Sequence, residues 1–228
     1  MPRVLGVDAC KAGWVGVLRA DGNVSAFVAS TMELLIAQVE QSGPLEVIAI
    51  DIPIGLPDTT LRAADHLARS EIGRLSSSAF TTAVRTALQA PTHAEAVVIN
   101  RRLSGQGVSI QAYGLRARIF EVETWIRQTD ALVVEVHPEV VFARLAGAPL
   151  TVRKSTWAGA ERRRALLADA GITLQGELGL ADQAVGVDDV LDAGAAAWSA
   201  LRVAQGKAES LPNPPELFTD NWPAAIWV

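Results

Sequence analysis

The sequence predicts an α/β fold: a mixed five-stranded sheet in the order 3-2-1-4-5, with helices on both faces and a helical insertion at about residues 58–128, between the fourth and fifth strands. Three observations lead there. Two Val-rich apolar runs flank an Asp21-Gly22 turn, a continuous apolar run (LEVIAID) follows the first helical pattern, and a long helical stretch separates that run from a second one, ALVVEVHP. Antiparallel strands followed by strands alternating with helices give a mixed sheet covered by helices.

Residues 3–9, 13–20 and 24–30 are short, apolar and rich in Val. Asp21-Gly22 joins the second to the third, and Asp-Gly is a strong hairpin signal because a tight turn needs residues that tolerate positive φ. Three consecutive antiparallel strands follow. Ser30-Thr31-Met32-Glu33 then has the form of a capping box, with Met32, Leu35, Ile36 and Val39 at helical spacing and a stop at Gly43-Pro44. Residues 45–51 are apolar without alternation up to Asp51, the pattern of a strand buried on both faces and central in a parallel arrangement. The helix is its crossover.

Residues 61–128 read as helical, with Thr92-His93-Ala94-Glu95 as another capping box and Ser109 as the cap of a helix running to Trp125. Ser76-Ser77-Ser78 and Gly105-Gln106-Gly107 are expected breaks. Residues 131–138 form the fifth strand, followed by a short helix at 139–145 and helical patterns at 159–170 and 187–205. A Pro-rich stretch, LPNPPELF, precedes a final apolar AAIWV. With no repeat and no linker visible, the 228 residues read as a single domain.

Composition narrows the class. Half the residues are hydrophobic and 20% are charged, which excludes intrinsic disorder. No apolar run reaches the ~20 residues that span a bilayer, so no membrane partner is expected. The start, MPRVLGVDAC, runs directly into Asp8 and Lys11, unlike a secretory signal, and a cytoplasmic address is expected. The single cysteine, Cys10, has no partner for a disulfide or a CxxC metal site and reads as a buried or half-buried thiol. A net charge of −5 argues against a protein that grips nucleic acid over its whole surface. Charge is uneven, however: residues 58–128 hold nine basic against six acidic residues, and residues 144–164 hold six against one. These are either two basic patches around an acidic site or solvated helix faces.

Asp8 and Asp51 each sit near the C-terminal end of a strand, where open α/β sheets place ligands. If the first and fourth strands are parallel neighbours, the two carboxylates lie ~5 Å apart, a distance that suits a shared divalent cation. The bland alternative is that each caps a turn. Asp188, Asp189 and Asp192 open the last helix, where carboxylates favour the helix dipole whatever else they do. Asp189 and Asp192 project from one face, and Asp189 is the expected third metal ligand, ahead of Asp192 and Asp188. Glu135 and His137 share a face of the fifth strand, so Glu135 is expected beside Asp51 to bind metal or orient water, while His137 contacts substrate or is structural. Lys154, Arg62, Arg69 and Arg85 are candidates for substrate phosphates, the alternative being solvated charge. The six tryptophans are scattered and read as packing. No GxxxxGK[ST], GxGxxG, HExxH or GxSxG motif occurs, which leaves metal chemistry as the main catalytic reading.

Taken in order, GVDACKAGWVGV, AIDIPIGLP, SSSAF-TTAVRTAL, EVHPEVVFARLAG, RKSTWAGAERRRALL and DDVLDAGAAAWSALR resemble an uncharacterised bacterial and archaeal family of predicted RNase H-like nucleases. The resemblance covers nearly the whole chain. It implies an RNase H-like fold in which Asp8 matches the first-strand carboxylate, Asp51 the one ending the fourth strand, and Asp189 and Asp192 the acidic pair of the last helix. Glu135, His137 and Glu139 match its EVHPE segment, and Lys154 and Arg85 match basic positions without an assigned role. An ordinary RNase H also has a glutamate on the first helix; Glu33 stands there, but its capping-box role accounts for it.

The leading expectation is therefore a phosphodiesterase acting on nucleic acid or a nucleotide, with Asp8, Asp51 and Asp189 holding two Mg²⁺ or Mn²⁺ ions ~4 Å apart. The alternatives are a non-catalytic RNase H-like module that binds nucleotide, nucleic acid or protein, and a small-molecule phosphotransferase. The chain is short for the last of these.

Overall fold

A computed structural model of the chain describes residues 2–78 and 80–228. β1 (Val4–Cys10), β2 (Gly13–Ala20) and β3 (Asn23–Ala29) form the antiparallel start, paired in continuous register from Val4↔Arg19 to Cys10↔Gly13 and from Trp14↔Ala29 to Ala20↔Asn23. Asp21 and Gly22 take φ of 50° and 82°, the two left-handed positions that this hairpin turn requires. α1 (Met32–Glu40) buries Met32, Leu35, Ile36 and Val39, as its spacing predicts. Its cap differs from the expected box: Thr31, not Ser30, accepts from Leu34 N, and the carboxylate that takes the Met32 N–H is Glu121 from a later helix, at 2.7 Å. The same Glu121 oxygen accepts from Trp14 Nε1, so one side chain ties the start of α1 to β2.

β4 (Val47–Ile50) is wholly buried and pairs in parallel with β1 through Val4↔Val47 to Val7↔Ile50. The insertion follows as α2 (Ala63–Ile72), a 3-10 turn over Gly73–Ser78 where the first break was expected, α3 (Arg85–Leu88), α4 (His93–Ser104), α5 (Ile110–Gly114) and α6 (Arg116–Ile126). Thr92 and Ser109 cap α4 and α5 as expected, but the helix begun at Ser109 is split near Leu115 into α5 and α6. β5 (Leu132–Glu135) then lies parallel to β4. α7 (Pro138–Ala146), α8 (Trp157–Asp169) and α9 (Val187–Ala204) complete the helices.

The sheet has seven strands, not five, in the order β3-β2-β1-β4-β5-β7-β6. The expected 3-2-1-4-5 arrangement is its first part, and the correction lies at the C-terminus. β6 (Ser210–Leu217) is the Pro-rich stretch and β7 (Pro223–Trp227) the final apolar one. β7 pairs in parallel with β5 through Glu135↔Ile226, and β6 closes that edge antiparallel to β7, with an irregular register between Leu211 and Glu216. Pro212, Pro214 and Pro215 cannot donate to a ladder, which confines such a segment to an edge or an irregular strand. That is where it lies.

Helices cover both faces. Leu5 and Val7 of β1 and Ile48 and Ile50 of β4 pack with the buried residues of α1, whereas Val4, Val47 and Ala49 pack with Ala196 and Ala200 of α9. α9 comes unusually close to β1: a Cβ on Gly6 would sit 2.0 Å from Ala197 N and 2.1 Å from Ala193 O. Only glycine allows that approach. It presses the start of α9, with its acidic residues, against the ends of β1 and β4.

Candidate functional site

The site is built by three elements. Asp8 lies near the end of β1 and Asp51 directly after β4, held level with β1 by a 3.0 Å hydrogen bond from its own N–H to Val7 O. In β1, Val4, Gly6 and Asp8 alternate onto the α9 face, which brings Asp8 under that helix. Asp192 enters from α9. One ligand oxygen each from Asp8, Asp51 and Asp192 lies within 4.8 Å of the other two. Asp8 is 8% and Asp192 2% exposed, and Asp51 is half-buried.

These carboxylates are poorly compensated. Asp8 accepts one local hydrogen bond, from Ala9 N at 2.7 Å. Among the described residues no hydrogen bond reaches the Asp51 carboxylate, so it caps no turn. Asp192 Oδ2 is ion-paired with Lys154 Nζ, while Asp192 Oδ1 is buried with no partner. Burial, and then the neighbouring carboxylates, raise the pKa of Asp8 and of Asp51 well above the ordinary range. Burial pushes Asp192 up to about 6, against the opposing pull of Lys154. Lys154 is itself held above its usual value, because Asp192, Asp8 and Asp51 outweigh its burial.

The sign of the pH dependence follows. Carboxylates with raised folded-state pKa bind more protons in the folded than in the unfolded chain between about pH 4 and their folded values. Their contribution to stability is therefore complete at low pH and is lost as pH rises through the Asp192 value of about 6. The stability of metal-free wild type relative to an Asp51→Asn variant is expected to rise as pH falls from about 7 to about 5, measured by denaturant melts at each pH. A difference independent of pH, or one running the other way, contradicts the assigned strain.

Asp192, not Asp189, is the helix carboxylate in the cluster. Asp189 Oδ2 turns back to accept from the N-cap residue's own N–H, Gly186 N, at 3.2 Å, and Asp188 lies 3.7 Å from Lys154. Position N3 of a helix is where a carboxylate reaches the cap, whereas the residue one turn later points along the buried stripe. Ala196 and Ala200 continue that stripe at i+4 and i+8 from Asp192, but Ala193 and Ala197, equally buried, stand in the same way to Asp189, so the alanine pattern alone does not choose between the two.

Glu135 is not beside Asp51 in the expected way. It is in register with Ile50, and successive side chains alternate, so it leaves the sheet toward α2. There it takes both 2.7 Å bonds from Arg62 Nη2 and a 2.7 Å bond from Ile54 N. Burial raises Glu135 to about 7 against the attraction of Arg62. Arg62, 1% exposed, also approaches Asp65 and Thr82, so its guanidinium is buried and matched to protein carboxylates. Arg85 is likewise committed, to Glu123 at 2.9 Å and Asp220 at 2.7 Å. His137 precedes α7 at the cap position without capping it, and its Nδ1 is buried without a partner. Burial lowers it to about 4, so it is neutral near pH 7. Glu139 binds the buried Arg163 at 2.7 Å.

A cleft of about 940 Å³ opens over the carboxylates and runs along the insertion. Asp8, Asp51, Asp192, Lys154, His137 and Arg69 all line it. Arg74, Phe80 and Arg153, which the sequence did not single out, line it too. Among the described residues no helix is long and apolar enough to cross a membrane.

A family model described as "Protein of unknown function (DUF429)" matches residues 6–217. Among curated proteins and among solved structures, nothing matches.

Proposed function

We propose that this chain, which belongs to the DUF429 family, is a metal-dependent phosphodiesterase of RNase H-like fold that hydrolyses nucleic acid. The observation that carries the reading is the convergence of Asp8, Asp51 and Asp192 within 4.8 Å at the ends of two central parallel strands. Three antiparallel strands, a crossover helix and a central parallel strand support the fold assignment.

The donor set fits a hard divalent cation such as Mg²⁺ or Mn²⁺. It offers only carboxylate oxygens, and Asp192 Oδ1 is a buried acceptor with nothing to accept from. Asp8, Asp51 and Asp192 would hold the ion, and Asp189 would not. Bound there, a cation supplies Lewis acidity toward a phosphoryl oxygen and water. The chain's own residues do the rest. The strand ends fix Asp8 and Asp51 before any ligand arrives, so little ordering is left to be done on binding. Lys154 offsets part of the cluster's charge and stands in the cleft where an anionic substrate would otherwise be repelled. His137, neutral near pH 7, lines the same cleft and adds no charge to it.

The test is cleavage of labelled single-stranded, duplex, hybrid and branched oligonucleotides with Mg²⁺, with Mn²⁺ and with excess chelator. The expected result is cleavage of at least one substrate class that is abolished by chelator and weakened by added salt, as counterion release requires. Cleavage that persists in chelator contradicts the mechanism, and failure on every substrate in either metal leaves a binding module.

A further inference from the structure

The cleft is built differently away from the carboxylates. Phe80 lies on its wall with 43% of its surface exposed. Arg74 and Arg153 line the same cleft, both exposed, and neither forms an ion pair among the described residues. This sets them apart from Arg62, Arg144 and Arg163, which are all matched to carboxylates. Gln106 and Gln111 add exposed amides to the lining.

Each feature asks for a different part of one ligand. Uncommitted guanidinium groups beside an acidic cluster are suited to phosphates, which they bind through paired N–H donors. An exposed ring on a cleft wall is suited to a flat π-face, and amides to the edge of a base. A cleft of about 940 Å³ falls in the range of small-ligand sites. A base inside a duplex has both faces covered by its neighbours and cannot stack on Phe80 unless it is first pulled out.

We infer that the cleft takes nucleotides with unpaired bases, a single-stranded segment or end of DNA or RNA, with a base on Phe80 and phosphates on Arg74 and Arg153. The inference rests on the nuclease reading for the chemistry at the carboxylates and goes beyond it in naming the strand state of the substrate.

The experiment is binding without cleavage. Fluorescence anisotropy in excess chelator compares labelled oligothymidylate and oligouridylate with a blunt DNA duplex of equal length, on the intact chain. One single strand, or both, is expected to bind at least about tenfold more tightly than the duplex, and the pair of single strands separates DNA from RNA as the source. Phe80→Ala is expected to weaken single-strand binding roughly tenfold, and Phe80→Trp to retain it, since stacking survives in the larger ring. Arg74→Ala with Arg153→Ala should flatten the dependence of log affinity on log salt by about one to two units. Duplex binding equal to or tighter than single-strand binding overturns the inference. So does a Phe80→Ala protein that melts and binds like wild type, or failure to bind either single strand. Because no divalent cation is present, these results stand apart from the cleavage test. Single-strand binding without cleavage removes the nuclease reading and leaves this one intact.

Discussion

Arg62→Leu is expected to destabilise the protein by about 3 to 5 kcal/mol at pH 8, the cost of stripping one partner from a buried ion pair. Arg62 is the cation for Glu135, and both are almost fully buried. Without it, Glu135 must either stay charged in the interior or take up a proton. Its pKa already stands at about 7 with Arg62 present, so protonation becomes easy as pH falls. The loss should therefore be smaller at pH 5 than at pH 8. The damage is also local to the site, because Glu135 anchors Ile54 N and so fixes the loop that leaves Asp51. Urea melts of wild type and variant at the two pH values check this. A phosphate contact, the role suggested by sequence, predicts a near-neutral variant with weakened substrate binding, so an unchanged melt would restore that role.

Asp51→Asn has the second large effect, visible only through metal. In metal-free protein the variant is expected to be as stable as wild type or more so, since it removes a charge facing Asp192 and Asp8 and breaks no hydrogen bond. With Mn²⁺ at about one hundred times its dissociation constant, wild type gains about 2.7 kcal/mol, roughly 5 to 10 °C in melting temperature for a chain this long, and the variant gains nothing. A turn cap behaves otherwise: its loss costs up to about 1 kcal/mol and is blind to metal. Thermal melts of both proteins with and without Mn²⁺ distinguish the two.

The first five strands were legible because local signals and the global fold agree there. Asp21-Gly22 carries its turn in its own dihedrals, and unbroken apolar runs mark β4 and β5 because both faces are buried. β6 was hidden for the opposite reason, since three prolines argue against a strand unless an edge is known to be available. At the site, Asp8 and Asp51 could be paired from sequence because strand order alone brings them together. The partners that decide Arg62, Arg85 and Glu121 lie 73, 135 and 107 residues away and are fixed by packing, which no local pattern encodes. Choosing between Asp189 and Asp192 required the helix phase against the sheet. Gly6 set it, by letting α9 touch β1 at Ala193 and Ala197.

The central claim is that Asp8, Asp51 and Asp192 bind a divalent cation, and calorimetric titration of Mn²⁺ into metal-free protein tests it most directly. Saturable binding is expected at about pH 7.5, weaker at about pH 5, where protons must first leave carboxylates whose pKa values are raised, and absent from Asp51→Asn. No saturable binding at the higher pH, or binding that neither acid nor Asp51→Asn diminishes, would contradict it.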